Sequence, residues 1–61
     1  MEDFLTIDRV EPGRLWLENG IGPVAVPTAA SAIAQPGWSM SVVLARRGGR
    51  WHLADVGNVY P

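Results

Sequence analysis

Glycine and proline punctuate this chain so densely that no long helix has room to form. Seven glycines and five prolines fall among 61 residues. Glycine frees φ and proline fixes it, so both interrupt regular helix. The segments left between them are strand-length and bounded by turn residues, which predicts a compact all-β fold. No internal repeat, low-complexity tract or linker breaks the sequence, so the expectation is one small domain over residues 1–61. A chain this short buries only roughly 60% of its extended surface, and its core is thin.

The first strand is expected over Phe4 to Val10, closed by Glu11-Pro12-Gly13, where proline presets the turn and glycine accepts positive φ. Arg14 to Glu18 alternates, with Leu15 and Leu17 on one face and Arg14, Trp16 and Glu18 on the other. Asn19-Gly20 is a hairpin signal leading into Gly22 to Pro27. A strict two-residue turn would pair Trp16 with Pro23 at a hydrogen-bonded position, where proline has no N–H to give. Either the loop is longer or this strand is an edge. Thr28 to Ala34 suits one or two helical turns with Thr28 as N-cap.

Trp38, Met40, Val42 and Leu44 then alternate with Ser39, Ser41, Val43 and Ala45, and Gly48-Gly49 turns the chain into Arg50 to Val56. A two-residue turn there pairs Arg47 with Arg50, Arg46 with Trp51, Ala45 with His52 and Leu44 with Leu53. That register puts the Arg46 guanidinium over the Trp51 ring. It also places Asp55 on the apolar face, unless a bulge at Gly57 re-aims the strand's end. Five short antiparallel strands with one short helical turn predict a small SH3-like barrel, which buries sheet faces with few residues and limits exposed edges.

Composition narrows the chemistry. Without cysteine there are no disulfides, thiolate metal sites or cysteine nucleophiles. Glu2 and Asp3 stand where a secretory signal would be basic, and no apolar run approaches a membrane span. The expected location is therefore cytoplasmic, with no membrane partner. His52 is the only histidine. Ser39, Ser41, Asp8 and Asp55 do not have the spacing of a nucleophile elbow. His52 and Asp55, on opposite faces of one regular strand, are too few to hold a metal. Lysine is absent, which removes the phosphate-loop lysine. No cofactor, metal or catalytic residue is expected.

The residues left for recognition are aromatic and cationic. Trp16 shares no face with Leu15 and Leu17, so it points outward and offers a contact surface. Arg46, Arg47 and Arg50 crowd the Gly48-Gly49 tip, with Trp51 and His52 beside them. Guanidinium forks of this kind suit carboxylates or phosphates, and Trp51 gives a flat surface for stacking. The net charge of −1 lacks the basic excess of a general nucleic-acid coat.

The closing Val56-Gly57-Asn58-Val59-Tyr60-Pro61 segment resembles the last strand and aromatic turn of SH3-like barrels. Asn58-Val59-Tyr60-Pro61 is also similar to the chain end of the plasmid-borne dihydrofolate reductases, SH3-like subunits that share a central pore. That likeness implies pore-lining roles for Asn58, Val59 and Tyr60. Asparagine stands in place of that family's glutamine, and its pore lysine has no counterpart. Ile7-Asp8-Arg9-Val10-Glu11 and the stretch from Asn19 to Pro27 resemble small bacterial proteins of uncharacterised function. The leading expectation is a non-catalytic interaction module or oligomer-forming protein that binds another protein. The alternative is nucleic-acid binding through Arg46–Trp51, and the third reading is a subunit of an oligomeric enzyme with a shared pore.

Overall fold

A computed structural model describes residues Met1–Pro61. Strands β1 (Glu2–Glu11), β2 (Arg14–Leu17) and β3 (Ile21–Ala25) lead through a short helix, α1 (Thr28–Ile33), into the long hairpin of β4 (Ser39–Arg47) and β5 (Arg50–Tyr60). All pairings are antiparallel, in the order β3-β2-β1-β4-β5. The fold is the all-β, barrel-like one expected, a five-stranded sheet curled into half a barrel. No helix is long and apolar enough to cross a membrane.

The curl originates in β1. Its first half, Glu2 to Thr6, pairs with β4, while Ile7 to Glu11 pair with β2 across a register shift between Ile7 and Arg9. A bulge bends and over-twists a strand, which lets one strand serve two half-sheets. Ile7 sits at the corner. Its N–H donates to the Trp38 carbonyl at 2.7 Å, and its own carbonyl accepts from Gly37 N–H at 2.8 Å.

Leu5, Ile7, Leu15, Leu17, Val24, Ala34, Met40 and Val42 form the buried core, with Trp38, Leu44, Leu53, Val56 and Val59 packed partly exposed around it. Ser31 is the one buried polar residue. Its Oγ donates to the Thr28 carbonyl and accepts from Gly13 N–H, both at 2.9 Å, tying α1 to the β1–β2 turn. No side chain caps α1: its N-cap is Pro27 rather than Thr28.

The first hairpin departs from a strict two-residue turn. Glu18–Gly20 forms a 3-10 turn, Leu17 pairs with Ile21, and a shift between Leu15 and Leu17 carries the register to Leu15–Val24. Pro23 thereby avoids any ladder position opposite Trp16, and β3 is an edge, as its missing N–H requires.

The second hairpin has the expected register from Arg47–Arg50 to Leu44–Leu53. Gly48 and Gly49 both have positive φ (58° and 76°), the condition for a type I′ turn. β5 then runs past Val56 to Tyr60, so the closing segment is strand rather than aromatic turn. Two irregularities re-aim it. Leu44 pairs with Leu53 but Val43 with Asp55, so Ala54 is the extra residue. Asp55 therefore leaves the apolar face before Gly57 is reached. The second shift lies between Met40 and Val42, opposite Gly57 and Asn58. Ser41 Oγ accepts from Asn58 N–H at 2.9 Å there and fills the space a Gly57 side chain would need. The hairpin overshoots β1, whose last rung with β4 is formed by Met1 and Leu44. The molecule measures 34 × 18 × 18 Å accordingly.

Candidate functional site

The arginines divide into two sets. Arg9 and Arg14 both pair with Glu11, Arg14 through Nη2 at 2.8 Å and Nε at 3.1 Å. The Arg14 hydrogen bond, assisted by the charge of Arg9, holds the Glu11 carboxyl below its ordinary range despite opposing desolvation. Both guanidinium groups also cover Trp16, at 4.7 and 5.6 Å from the ring centroid. Trp16 points away from the buried Leu15 and Leu17, as its strand position requires, and stays half-buried beneath these two arginines. A side chain at Gly22 would meet its Cδ1 at 2.8 Å, so the start of β3 closes against the ring's edge.

Arg46, Arg47 and Arg50 have no carboxylate partner. All three are exposed at the tip of the β4–β5 arm. Arg46 lies over Trp51 at 5.7 Å, as the register predicts. Trp51 is 52% exposed, because the arm extends beyond any strand that could cover it. His52 is exposed opposite Ala45. The extra residue at Ala54 puts Asp55 on the same face as His52, not the opposite one. The structure thus gathers Arg46, Arg47, Arg50, Trp51 and His52 on one arm and leaves Trp16 with a different cluster in β2.

A further site lies on the outer face of β1, β4 and β5. Because Leu5 and Ile7 point to the core, Glu2, Phe4 and Thr6 point outward. Ser41 and Val43 of β4 join them, as do Asp55 and Tyr60 of β5. The rings of Phe4 and Tyr60 meet edge to face, with centroids 5.8 Å apart. Between them and the strand ends lies an open groove of about 350 Å³, lined among others by Glu2, Asp3, Val43, Asp55 and Gly57. Asp3 and Asp55 each accept a hydrogen bond from the next residue's N–H, at 2.7 and 2.8 Å. Glu2, Asp3 and Asp55 form no ion pair. The groove is aromatic at one side, acidic at the other, and uncovered.

Sequence reasoning misses this groove because it ends the last strand at Val56 and treats Phe4 only as a strand residue. The Trp16 cluster did leave a signal. A two-residue Pro12-Gly13 turn sets Glu11 opposite Arg14, and Arg9 follows on the same face. Of the pore-lining trio, Tyr60 reaches the groove, Val59 packs against the core, and Asn58 is held through its backbone by Ser41.

Fold and site together define a small all-β, barrel-like protein with an acidic aromatic groove and a separate basic arm. Compared with protein-family models, curated proteins and solved structures, the chain matches none.

Proposed function

We propose that this chain is a non-catalytic interaction module of the bacterial cytoplasm that binds protein, further copies of itself among its partners. The observation that carries this reading is the uncovered outer face of β1, β4 and β5. Phe4, Val43 and Tyr60 remain 63%, 38% and 43% exposed around the groove. Large apolar side chains gathered on one face, rather than scattered singly, mark contact surfaces. The SH3-like barrel expected from the sequence fits this role, since such barrels present aromatic-lined grooves to extended segments. β5 adds an eleven-residue edge strand with one side unpaired, a template for strand addition. The absence of cysteine suits a reducing compartment.

Sedimentation velocity from tens to hundreds of micromolar tests the reading. The wild-type chain is expected to exceed monomer mass as concentration rises. The double variant Phe4→Ser, Tyr60→Ser is expected to remain folded by circular dichroism and to sediment as a monomer. A wild type that stays monomeric throughout, or a folded variant that associates like wild type, overturns it.

A further inference from the structure

The same chain carries two surfaces of opposite charge, neither of which is neutralised within it. At the arm's tip, Arg47 and Arg50 face each other directly across the turn, a like-charge cross-strand pair that opposes pairing. Arg46 stands beside them, and none of the three has an acidic partner. Around the groove, Glu2 and Asp55 stand on the outward face either side of Val43, Asp3 lies at its rim, and none of the three has a basic partner. Resting on the interaction-module reading, we propose that the arginine tip of one copy docks into the Glu2–Asp55–Phe4–Tyr60 groove of a second copy, so that the chain assembles head to tail.

The geometry excludes the intramolecular version of this contact. Arg50 and Asp55 belong to the same strand, five positions apart. That is roughly 17 Å along an extended chain, and a paired hairpin cannot fold its own tip back onto its base. The tip is also shaped to enter a groove, since Gly48 and Gly49 put no side chains at its apex. A guanidinium presents a planar fork of donors that matches carboxylates and stacks on aromatic faces. The groove offers both: carboxylates from β1 and β5, and the Phe4 and Tyr60 rings. Incoming carboxylates would in turn relieve the repulsion between Arg47 and Arg50.

A second copy is the occupant favoured because the complementary halves are encoded in one chain. With Arg9 and Arg14 held by Glu11, the arginines left free are those of the tip, and the Met1 ammonium is engaged by the Leu44 carbonyl. The contact is heterologous, so copies join into a ring if the rotation closes and into an open chain if it does not. It is small, which places it among weak interfaces, and its charge makes it sensitive to salt.

A charge swap tests the proposal by sedimentation at low and high salt. Arg47→Glu, Arg50→Glu reverses the tip at a solvated turn, and Glu2→Arg, Asp55→Arg reverses the groove. Each variant alone is expected to associate at least about tenfold more weakly than wild type. Their equimolar mixture is expected to recover association, because each variant's tip then faces a groove of opposite sign. Glu2→Gln, Asp55→Asn provides a milder groove variant should the reversed one fail to fold, and it too must weaken association. If the tip variant associates like wild type while Phe4→Ser, Tyr60→Ser does not, the tip-in-groove contact is wrong and the interaction-module reading stands. A mixture that stays monomeric also overturns the contact. A wild type that never associates removes both. A short single-stranded oligonucleotide added at low salt gives the last check: binding that requires Arg47 and Arg50 and disperses no assembly assigns the tip to nucleic acid and overturns the proposal.

Discussion

Trp16 and Trp51 lie under arginines at similar distances, yet one belongs to a closed cluster and the other to an open one. At Trp16, two guanidinium groups share the ring and a single carboxylate, Glu11, completes the set. At Trp51, one guanidinium covers the ring, no acid follows, and more than half of the residue faces solvent. The chemistry is nearly the same, and the surroundings differ. The first cluster sits where β2 lies between β1 and β3, on the back of the fully buried Leu15 and Leu17. The second sits on an arm with no strand beyond it. An arginine–tryptophan pair is therefore structural where the sheet supplies its third member, and free to meet a partner where it does not.

The strongest way to break this comparison is to remove a leucine next to each cluster. Leu17→Ala empties a site with no solvent exposure and is expected to cost about 2–5 kcal/mol, enough to unfold much of a domain this small. Leu53→Ala, in the half-exposed row beneath the arm, is expected to cost about 1 kcal/mol or less because little area leaves water there. Urea denaturation measures both, and equal losses would show that the arm is as well packed as the barrel.

Removing the rings comes next. Trp16→Ala loses a half-buried ring and two cation–π contacts, for an expected cost of about 1–2 kcal/mol. Trp51→Ala loses one contact at an exposed site and is expected to cost about 0.5 kcal/mol. A larger loss at Trp51 would reverse the assignment of closed and open clusters.

The smallest effect separates the clusters by pH. Glu11 has a lowered carboxyl pKa in the folded chain. The unfolded chain therefore binds more protons near the carboxylate range. The Glu11 contribution is complete above the unfolded value of about 4.3 and is lost as pH falls through the folded one. Glu11→Gln is expected to flatten the acid limb of stability without altering the salt sensitivity of association. An acid limb identical to wild type would show that Glu11 does not hold the cluster.

These contrasts follow what was legible in the sequence. Arg47 to Leu53 could be paired in advance because two adjacent glycines fix a two-residue turn, and the register follows from it as far as Leu44–Leu53. Asn19-Gly20 has the same appearance, but Pro23 cannot sit opposite Trp16 as a ladder partner, so a 3-10 turn and a register shift intervene. Asp55 was misplaced because alternation extends blindly through Ala54, and an extra residue without a glycine or proline to mark it leaves no local trace. The groove escaped for a related reason. Its walls come from Phe4 and Tyr60, which lie 56 positions apart in the sequence and meet only through β4, paired to both β1 and β5.

The bend of β1 at Ile7 and Arg9 has a consequence for how the chain comes apart. Each half of that strand is the inner neighbour of a hairpin that would be marginal alone. Stripping β4 away orphans Leu5, and stripping β2 away orphans Ile7. Leu5 and Ile7 belong to one core with Leu17 and Met40, so neither hairpin can open at its base without exposing that shared core. Loss of structure is thus a single cooperative event through β1. Fraying is confined to the overhanging arm, whose amides should exchange first while those of β1 exchange last and together.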